Sequence, residues 1–364
     1  MKIGIFDPYL DDLGGGEKYM MTIAETLSKK HKVNVFWDNH EDLTKLAHRF
    51  LLDFSSINIV KNIFTTDTSI IKRLRESFKY DVIITLSDGS LPFLLSKKTF
   101  IHFQQPFPNI KPKLSNILKI NKIDNFLVNS KFTKSFIDKE FDINSKVLYP
   151  PVDFYPKDVK RQNIILNVGR FRVKDVTTSK GGQTKGIGDF KKQSVMVDVF
   201  KKMVDEGLKD WKFVLAVSVN EHEKEIFKDF KKSAINYPVE FLVNKTNKEL
   251  WETYSKAKIY WHASGFGEDL KRHPEFAEHF GISTVESMGA GCVPVVINAG
   301  GQKEIIENRV NGFLWDTLDQ LMSITLSLIN DNSKLDEVSK RASASVKKFT
   351  KENFEKQIND LVLS

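Results

Sequence analysis

The stretch EHFGISTVESMGAGCVPVVI, residues 278–297, joins a helical segment to a strand through glycines. Gly281 precedes the segment ISTVESMGA, and Gly289 and Gly291 end it, so we predict a short helix between these glycines. The strand VPVVI (293–297) is apolar without polar alternation, which is typical of a strand covered on both faces. A glycine-bounded helix that runs into a buried strand indicates an α/β fold with a parallel sheet.

Apolar strands alternate with helical patterns along almost the whole chain. The predicted strands are KIGIF (2–6), KVNVFW (32–37), INIV (57–60), DVIITLS (81–87), FIHF (100–103), NFLVN (125–129), NIILNVG (163–169), KFVLAVS (212–218), VEFLV (239–243), KIYWHAS (258–264), VPVVI (293–297) and FLW (313–315). Pro150 and Pro151 stiffen the segment that separates two groups of strands. We therefore expect two doubly wound, Rossmann-like domains, residues 1–153 and 154–346, facing a central cleft. The amphipathic helix at about 347–364 is a candidate to pack back on the first domain.

Composition describes an ordinary globular chain of 364 residues, with 41% hydrophobic and 28% charged residues and no apolar run long enough to cross a bilayer. The start, MKIGIFDPYLDD, lacks the apolar segment of a signal peptide, so we expect a cytoplasmic location. The single cysteine, Cys292, lies in an apolar run, and we interpret it as a core residue rather than a nucleophile.

Positive charge is concentrated in one stretch of the N-terminal half. The net charge is +8, and Lys97 to Lys134 holds eight lysines against one acid, Asp124. This stretch could rest on an anionic membrane surface, bind phosphorylated ligands or nucleic acid, or form a solvated lysine-rich face.

Two glycine-bearing loops could receive anions. Gly14, Gly15 and Gly16 precede the first helix, where backbone amides can approach a ligand, although a flexible turn would have the same composition. In the second half, Arg170 ends a strand and a lysine-rich segment follows. An arginine and a lysine can clamp a diphosphate, and the candidate lysines are Lys180, Lys185, Lys191 and Lys192. Solvated lysines are the alternative.

The opening stretch falls at a strand-to-helix connection. Amides from Gly281 to Ser283 could hold phosphate or sugar oxygens, while Glu286 could accept the hydroxyl groups of a ribose. Glu278, just before the helix, would project toward the sugar. The alternative is that the two glutamates only favour the helix macrodipole.

Taken together, these residues resemble the retaining glycosyltransferases of family four, which share the two-domain GT-B fold. Glu278 and Glu286 reproduce the family's signature of two glutamates separated by seven residues. The resemblance also includes GGGE (14–17), NSKFTKSFI (129–137), LYPPVD (148–153), NVGRF (167–171), AGCVPVVINAGGQKEII (290–306) and NGFLW (311–315). Within GFGEDLKRHPE, the elements GFGED and HPE are similar to the subgroup of mannosyltransferases that build lipid-linked oligosaccharides.

The resemblance implies a hexosyltransferase that moves a sugar from GDP-mannose or a UDP-hexose to a hydroxyl of a glycan or lipid-linked acceptor, with retention. The implied donor-binding residues are Gly14, Gly15, Gly16, Arg170, Lys192, Glu278, Phe280, Gly281, Ile282, Ser283, Thr284 and Glu286. The implied catalytic residues are His102, Glu278, Arg170 and Lys192; for His102, a packed core histidine is the alternative. No Asp-x-Asp is present, so we expect no cofactor and no divalent metal.

Three further expectations concern partners and alternatives. A nucleic-acid binder would leave both glutamates unused, so we expect no nucleic-acid partner. A sugar-nucleotide epimerase or hydrolase, or an inactive sugar-nucleotide binder on the same fold, remains the alternative function. The basic stretch is compatible with a peripheral position on the inner face of a membrane.

Overall fold

A computed structural model describes residues 1–12, 14–108, 114–174 and 188–363. The chain divides into two compact units: unit 1 comprises Met1–Pro151 and Phe349–Ser364, and unit 2 comprises Val152–Lys348. Each unit is built on a sheet of parallel strands, as the runs of apolar residues predicted. None of the described helices combines the length and the hydropathy that a bilayer span requires.

The strands are β1 (Lys2–Phe6), β2 (Lys32–Phe36), β3 (Ile57–Val60), β4 (Val82–Leu86), β5 (Lys98–Phe103), β6 (Asn125–Val128), β7 (Lys146–Val147), β8 (Ile164–Arg170), β9 (Val173–Lys174), β10 (Gly188–Asp189), β11 (Lys212–Ser218), β12 (Val239–Val243), β13 (Ile259–His262), β14 (Val293–Ile297) and β15 (Phe313–Trp315). The α-helices are α1 (Gly15–Ser28), α2 (His40–Phe50), α3 (Ile70–Ser77), α4 (Leu114–Ile120), α5 (Lys131–Phe141), α6 (Gln193–Asp205), α7 (Lys224–Lys232), α8 (Asn247–Lys256), α9 (Ile282–Gly289), α10 (Gln302–Ile305), α11 (Leu318–Ile329), α12 (Asn332–Ser345) and α13 (Lys351–Leu363).

Unit 1 contains a seven-stranded sheet in the order β3-β2-β1-β4-β5-β6-β7. Its central strands carry the apolar residues that form the core, and Ile3 lies between Val33 and Val82 of the neighbouring strands. The last helix, α13, packs on α1, because its buried face places Phe354, Ile358 and other apolar side chains in the same core. The C-terminal segment is therefore a structural part of the first unit.

Unit 2 contains a six-stranded sheet in the order β12-β11-β8-β13-β14-β15. The order reverses between β8 and β13, and in doubly wound folds the crevice at such a reversal lies at the carboxyl ends of the strands. Cys292 is buried just before β14, as predicted for a core residue, and burial raises the pKa of its thiol to about 12.

The twelve predicted strands all form, with differences of one or two residues at their ends. The sequence interpretation missed β7 and the antiparallel pair β9 and β10, because a strand of two residues is too short to produce an apolar run. The prediction of an α/β fold built from two doubly wound halves is confirmed.

Candidate functional site

The candidate site of unit 2 lies at the carboxyl edge of its sheet. Arg170 is the last residue of β8, and His262 is the last residue of β13. After β13 the chain makes a long connection that ends at Gly281, the residue before α9. Gly281 has a φ of 120°, a region that strongly favours glycine, so the abrupt start of α9 depends on this residue.

The segment just before α9 is supported by the turn after β14. Gly301 N–H donates to the Glu278 carbonyl oxygen at 2.8 Å. A Cβ atom added at Gly301 would lie 2.4 Å from the Cα atom of Phe280, and one at Gly300 would lie 2.3 Å from the Glu278 carbonyl oxygen. The two glycines therefore allow close contact between two backbone segments, and this contact fixes the position of Glu278 at the edge of the sheet.

Glu278 is held by a lysine and a histidine side chain. Its Oε2 atom accepts from Lys191 Nζ at 2.9 Å and lies 2.9 Å from His262 Nε2. Burial opposes ionisation of this carboxyl group, but the Lys191 ammonium and the His262 hydrogen bond outweigh it and hold the pKa of Glu278 well below its ordinary value. The group is therefore an oriented carboxylate with 20% of its side-chain surface exposed.

The two neighbouring lysines before α6 have different partners. Lys191 contacts Glu278, whereas Lys192 donates to Glu268 Oε1 at 2.6 Å in the connection after β13. Lys192 has a φ of 56° and is the residue just before α6. Consecutive side chains at such a turn point in different directions, which explains the separate partners. The other two candidates, Lys180 and Lys185, lie outside the described residues.

Glu286 lies one turn inside α9 and accepts a hydrogen bond from the Tyr254 hydroxyl at 2.9 Å. Burial, together with the Glu286 carboxylate, raises the pKa of Tyr254 well above its ordinary value, so the hydroxyl stays protonated as a donor. In the first turn of α9, the Ser283 hydroxyl pairs with the Tyr260 hydroxyl at 2.8 Å. The hydroxyl groups of Tyr254 and Tyr260 thus orient the Glu286 and Ser283 side chains of α9.

The other residues at the start of α9 differ in how far their side chains are buried. Phe280 is 2% exposed and Thr284 is fully buried, while Ile282 and Ser283 are partly exposed. Phe280 and Thr284 can therefore contribute backbone groups to a ligand, but their side chains pack inside unit 2. The backbone N–H groups of the first helical turn have no carbonyl partner inside α9, so they can donate to an anion at this edge.

The glycine loop of unit 1 begins α1. Gly14 precedes the helix, and its N–H donates to Glu17 Oε2 at 2.5 Å. Gly16 packs against the side chain of Gln104, which donates from Nε2 to the Gly16 carbonyl oxygen at 3.0 Å. A Cβ atom at Gly16 would lie 2.3 Å from Gln104 Oε1, so a larger residue there would displace the end of the Gln104 side chain. Gly15 lies between them as the first residue of α1.

His102 lies inside β5 and is fully buried. Its ring stacks on the Tyr19 ring of α1 with centroids 4.3 Å apart and planes within 4°. Burial lowers the pKa of His102 to about 3, so the ring is neutral at physiological pH. The structure thus places this histidine under α1 beside the glycine loop, in the environment of a packed core residue. Its catalytic role stays a prediction.

The site contains functional candidates that the sequence interpretation did not single out. Lys191 was named only as an alternative to Lys192, and His262 and Tyr254 were not named at all. The signal for His262 was available, because a histidine that ends an apolar strand points a titratable group at the carboxyl edge of a sheet. Tyr254 gave no such signal, since its contact with Glu286 joins α8 to α9 across space.

Comparison with known proteins shows similarity to glycosyltransferases. Residues 187–345 match the model of the family described as glycosyl transferases group 1. The chain is 26% identical over 249 residues to the GDP-Man:Man(3)GlcNAc(2)-PP-Dol alpha-1,2-mannosyltransferase of Dictyostelium discoideum, covering 64% of this chain and 45% of that protein. The protein of that name from Xenopus laevis is 27% identical over 256 residues, covering 64% and 47%. The chain thus spans about half the length of the curated relatives it matches.

Solved structures share the fold at low sequence identity. The complex of Anabaena Alr3699/HepE with UDP has a TM-score of 0.74 at 16% identity and covers 100% of both chains. A glycosyltransferase from Rickettsia africae ESF-5 has a TM-score of 0.73 at 14% identity, covering 99% of this chain and 97% of that one. The GT-B fold predicted from the sequence is confirmed by these neighbours.

Proposed function

We propose that this chain, whose residues 187–345 match the model of glycosyl transferases group 1, transfers a hexose from a nucleotide diphosphate sugar to an acceptor hydroxyl. The observation that carries the proposal is the oriented Glu278 carboxylate, held by Lys191 and His262 at the start of α9. A carboxylate fixed beside a helix N-terminus places a hydrogen-bond acceptor for sugar hydroxyls next to donors for phosphate oxygens.

The donor would lie along the carboxyl edge of unit 2. Arg170 and one of the lysines before α6 would meet the two charges of the diphosphate, and the first-turn amides of α9 would complete its coordination. Glu286 would accept hydrogen bonds from the ribose, because Tyr254 fixes the position of its carboxylate. Lys191 and Lys192 each already contact a glutamate, so either ammonium would be shared between that glutamate and a phosphate.

Transfer requires that the bond between the anomeric carbon and the diphosphate oxygen break while the bond to the acceptor oxygen forms. Positive charge then develops on the sugar ring and negative charge on the leaving diphosphate. The arginine, a lysine and the helix amides stabilise the negative charge. We infer retention of configuration, with the departing phosphate oxygen taking the acceptor proton on the same face of the sugar. We also infer that these cations and amides replace a divalent metal.

The relatives support a choice of donor and acceptor. Those named GDP-Man:Man(3)GlcNAc(2)-PP-Dol alpha-1,2-mannosyltransferase suggest GDP-mannose as the donor and a lipid-linked glycan as the acceptor. The UDP bound to Anabaena Alr3699/HepE makes UDP-hexoses the second choice, since that likeness is one of fold. We propose GDP-mannose first, with a cytoplasmic site of action at the inner face of a membrane.

Binding of the donor tests the proposal directly. In a thermal-shift panel of GDP-, UDP- and ADP-sugars, one donor should raise the melting temperature, because a ligand at about 100 times its Kd stabilises the folded state by about 2.7 kcal/mol. The change Arg170→Ala should lower transfer by about 100-fold or more, since the leaving group loses a cation. The exposed Arg172 offers a matched control, and Arg172→Ala should retain activity.

Two outcomes would contradict the proposal. If no nucleotide sugar shifts the melting temperature, the edge described here does not bind a donor. If the active chain turns over its donor at the same rate with and without any acceptor and gives only free sugar or an epimer, the protein is a hydrolase or an epimerase on the same fold.

A further inference from the structure

A pocket of about 270 Å³ lies in unit 1 between α3 and the face of β1 to β3. Four lysines and one glutamate line it: Lys2, Lys61, Lys72, Lys79 and Glu76. Tyr80 forms part of its wall, where it accepts a hydrogen bond from Asn34 at 2.9 Å and lies 4.3 Å from the Lys2 ammonium. Lys79 pairs with Glu76 at 2.6 Å, so the other three lysines make the pocket cationic, with an aromatic wall.

The outer surface of α3 is apolar next to this pocket. Lys72 and Glu76 of α3 and Lys79 of the turn after it line the pocket at helical spacing, and the stripe one residue earlier is Ile71, Arg75 and Phe78, of which Phe78 follows the last residue of α3. Successive residues of a helix are about 100° apart, so the two stripes are neighbours. Ile71 is 80% exposed and Phe78 is 73% exposed, and Ile70 at the start of the helix is 71% exposed.

These apolar side chains are exposed on a well-anchored helix. Arg73 donates from Nε to the Ile63 carbonyl oxygen at 3.0 Å, and Leu95 N–H donates to the Ser77 hydroxyl at 2.9 Å. The inner side of α3 is thus fixed to unit 1 near its middle and at its C-terminal end. The exposed stripe is a defined surface and does not result from a detached helix.

An anionic bilayer has the chemistry that this surface complements. Five cations (Lys2, Lys61, Lys72, Arg75 and Lys79) and one acid (Glu76) give the surface a net charge of +4. Apolar side chains bordered by cations suit the boundary between head groups and acyl chains, where the cations meet phosphates and the apolar groups leave water. Water alone satisfies only the cations.

We propose that unit 1 docks on an anionic lipid bilayer through α3, with Ile71 and Phe78 entering the interface and the pocket lysines meeting lipid phosphates. This surface adjoins the beginning of the Lys97 to Lys134 stretch, because Lys97 N–H donates to the Tyr80 carbonyl oxygen at 3.2 Å. The inference rests on the proposed function only for the reason why the chain would dock, since a lipid-linked acceptor would be met at a bilayer. Vesicle binding needs neither donor nor acceptor, so failure of either proposal is recognised without the other.

The test is co-sedimentation of the full chain with vesicles of phosphatidylglycerol and phosphatidylcholine, compared with phosphatidylcholine alone. Binding should require phosphatidylglycerol and weaken as salt rises. The double change Ile71→Ser with Phe78→Ser should lower the binding constant at least tenfold, while Lys61→Gln with Lys72→Gln should lower it about fivefold per lysine and reduce the salt dependence. Ile235→Ser, which removes an exposed apolar residue of unit 2, should leave binding unchanged.

Three results would overturn the proposal, provided that circular dichroism shows each variant folded. The first is that the chain does not bind anionic vesicles. The second is that the double variant of Ile71 and Phe78 binds them as tightly as the wild type does. The third is that Leu118→Ser, which changes a 69% exposed side chain of α4, abolishes binding while the double variant of Ile71 and Phe78 still binds. Loss of self-association in the α3 variant, with vesicle binding intact, would instead assign the surface to a second copy of the chain.

Discussion

A buried acid at the start of the glycine loop makes the stability of unit 1 depend on pH. Asp7 follows β1 and is fully buried, with its Oδ1 atom accepting from Tyr9 N–H at 2.9 Å. Burial, together with the nearby Glu17 and Asp11 carboxyl groups, raises the pKa of Asp7 to about 8, although the hydrogen bond from Tyr9 N–H acts in the opposite direction. The perturbation we consider is Asp7→Asn, which keeps the side-chain shape and removes the ionisation.

The sign follows from the pKa in each state. The unfolded group has a pKa of 3.8 and the folded group has one of about 8, so between these values the folded state binds the additional proton. Stability therefore falls as the pH rises through this window, at up to about 1.4 kcal/mol per pH unit. Between pH 6 and pH 8 the loss should be about 2 kcal/mol, equivalent to an approximately 30-fold larger opening constant.

Amide hydrogen exchange measures this opening in the full chain. Peptides that cover β1 are compared at pH 6 and pH 8 after correction for the intrinsic exchange rate, which isolates the free energy of opening. The wild type should show the loss of protection, and Asp7→Asn should show little. Asp11→Asn is the matched control, because it removes a nearby but exposed carboxylate whose effect on Asp7 is smaller than that of burial, and it should keep most of the pH dependence of the wild type.

The reasoning would be refuted if wild type and Asp7→Asn lost equal protection between the two pH values. It would also fail if Asp11→Asn removed the pH dependence as completely as Asp7→Asn, because long-range charge rather than burial would then be responsible.

Three further predictions concern unit 2. Gly301→Ala should lower the free energy of unfolding by about 1–3 kcal/mol through its backbone clash, whereas Gly169→Ala, with no atom nearer than 3.7 Å, should be close to neutral in thermal unfolding. Tyr254→Phe should weaken donor binding about tenfold in titration calorimetry, because Glu286 loses a hydrogen bond of 2.9 Å. Lys191→Gln should raise the pKa of Glu278 and move the acidic limb of the kcat/KM profile to higher pH. The control Lys192→Gln should not move it.

Local patterns in the sequence determined the fold class and part of the site. Each apolar run of four or more residues became a strand of a parallel sheet, because such runs are stable only when both faces are covered. The glycines around ISTVESMGA bounded α9, since Gly281 adopts a conformation that other residues rarely do. The position of the Glu278 and Glu286 pair at a strand-to-helix connection could likewise be predicted, because it depends on the order of elements along the chain.

The tertiary structure decided the partners of those side chains. It placed Lys191 on Glu278 and Lys192 on Glu268, a difference that arises from one residue with positive φ. It also brought His262 to Glu278 and buried His102 against Tyr19. These contacts join residues that are 16 to 87 positions apart. Sequence periodicity reports which face of an element is buried, but only packing fixes which side chains meet across that face.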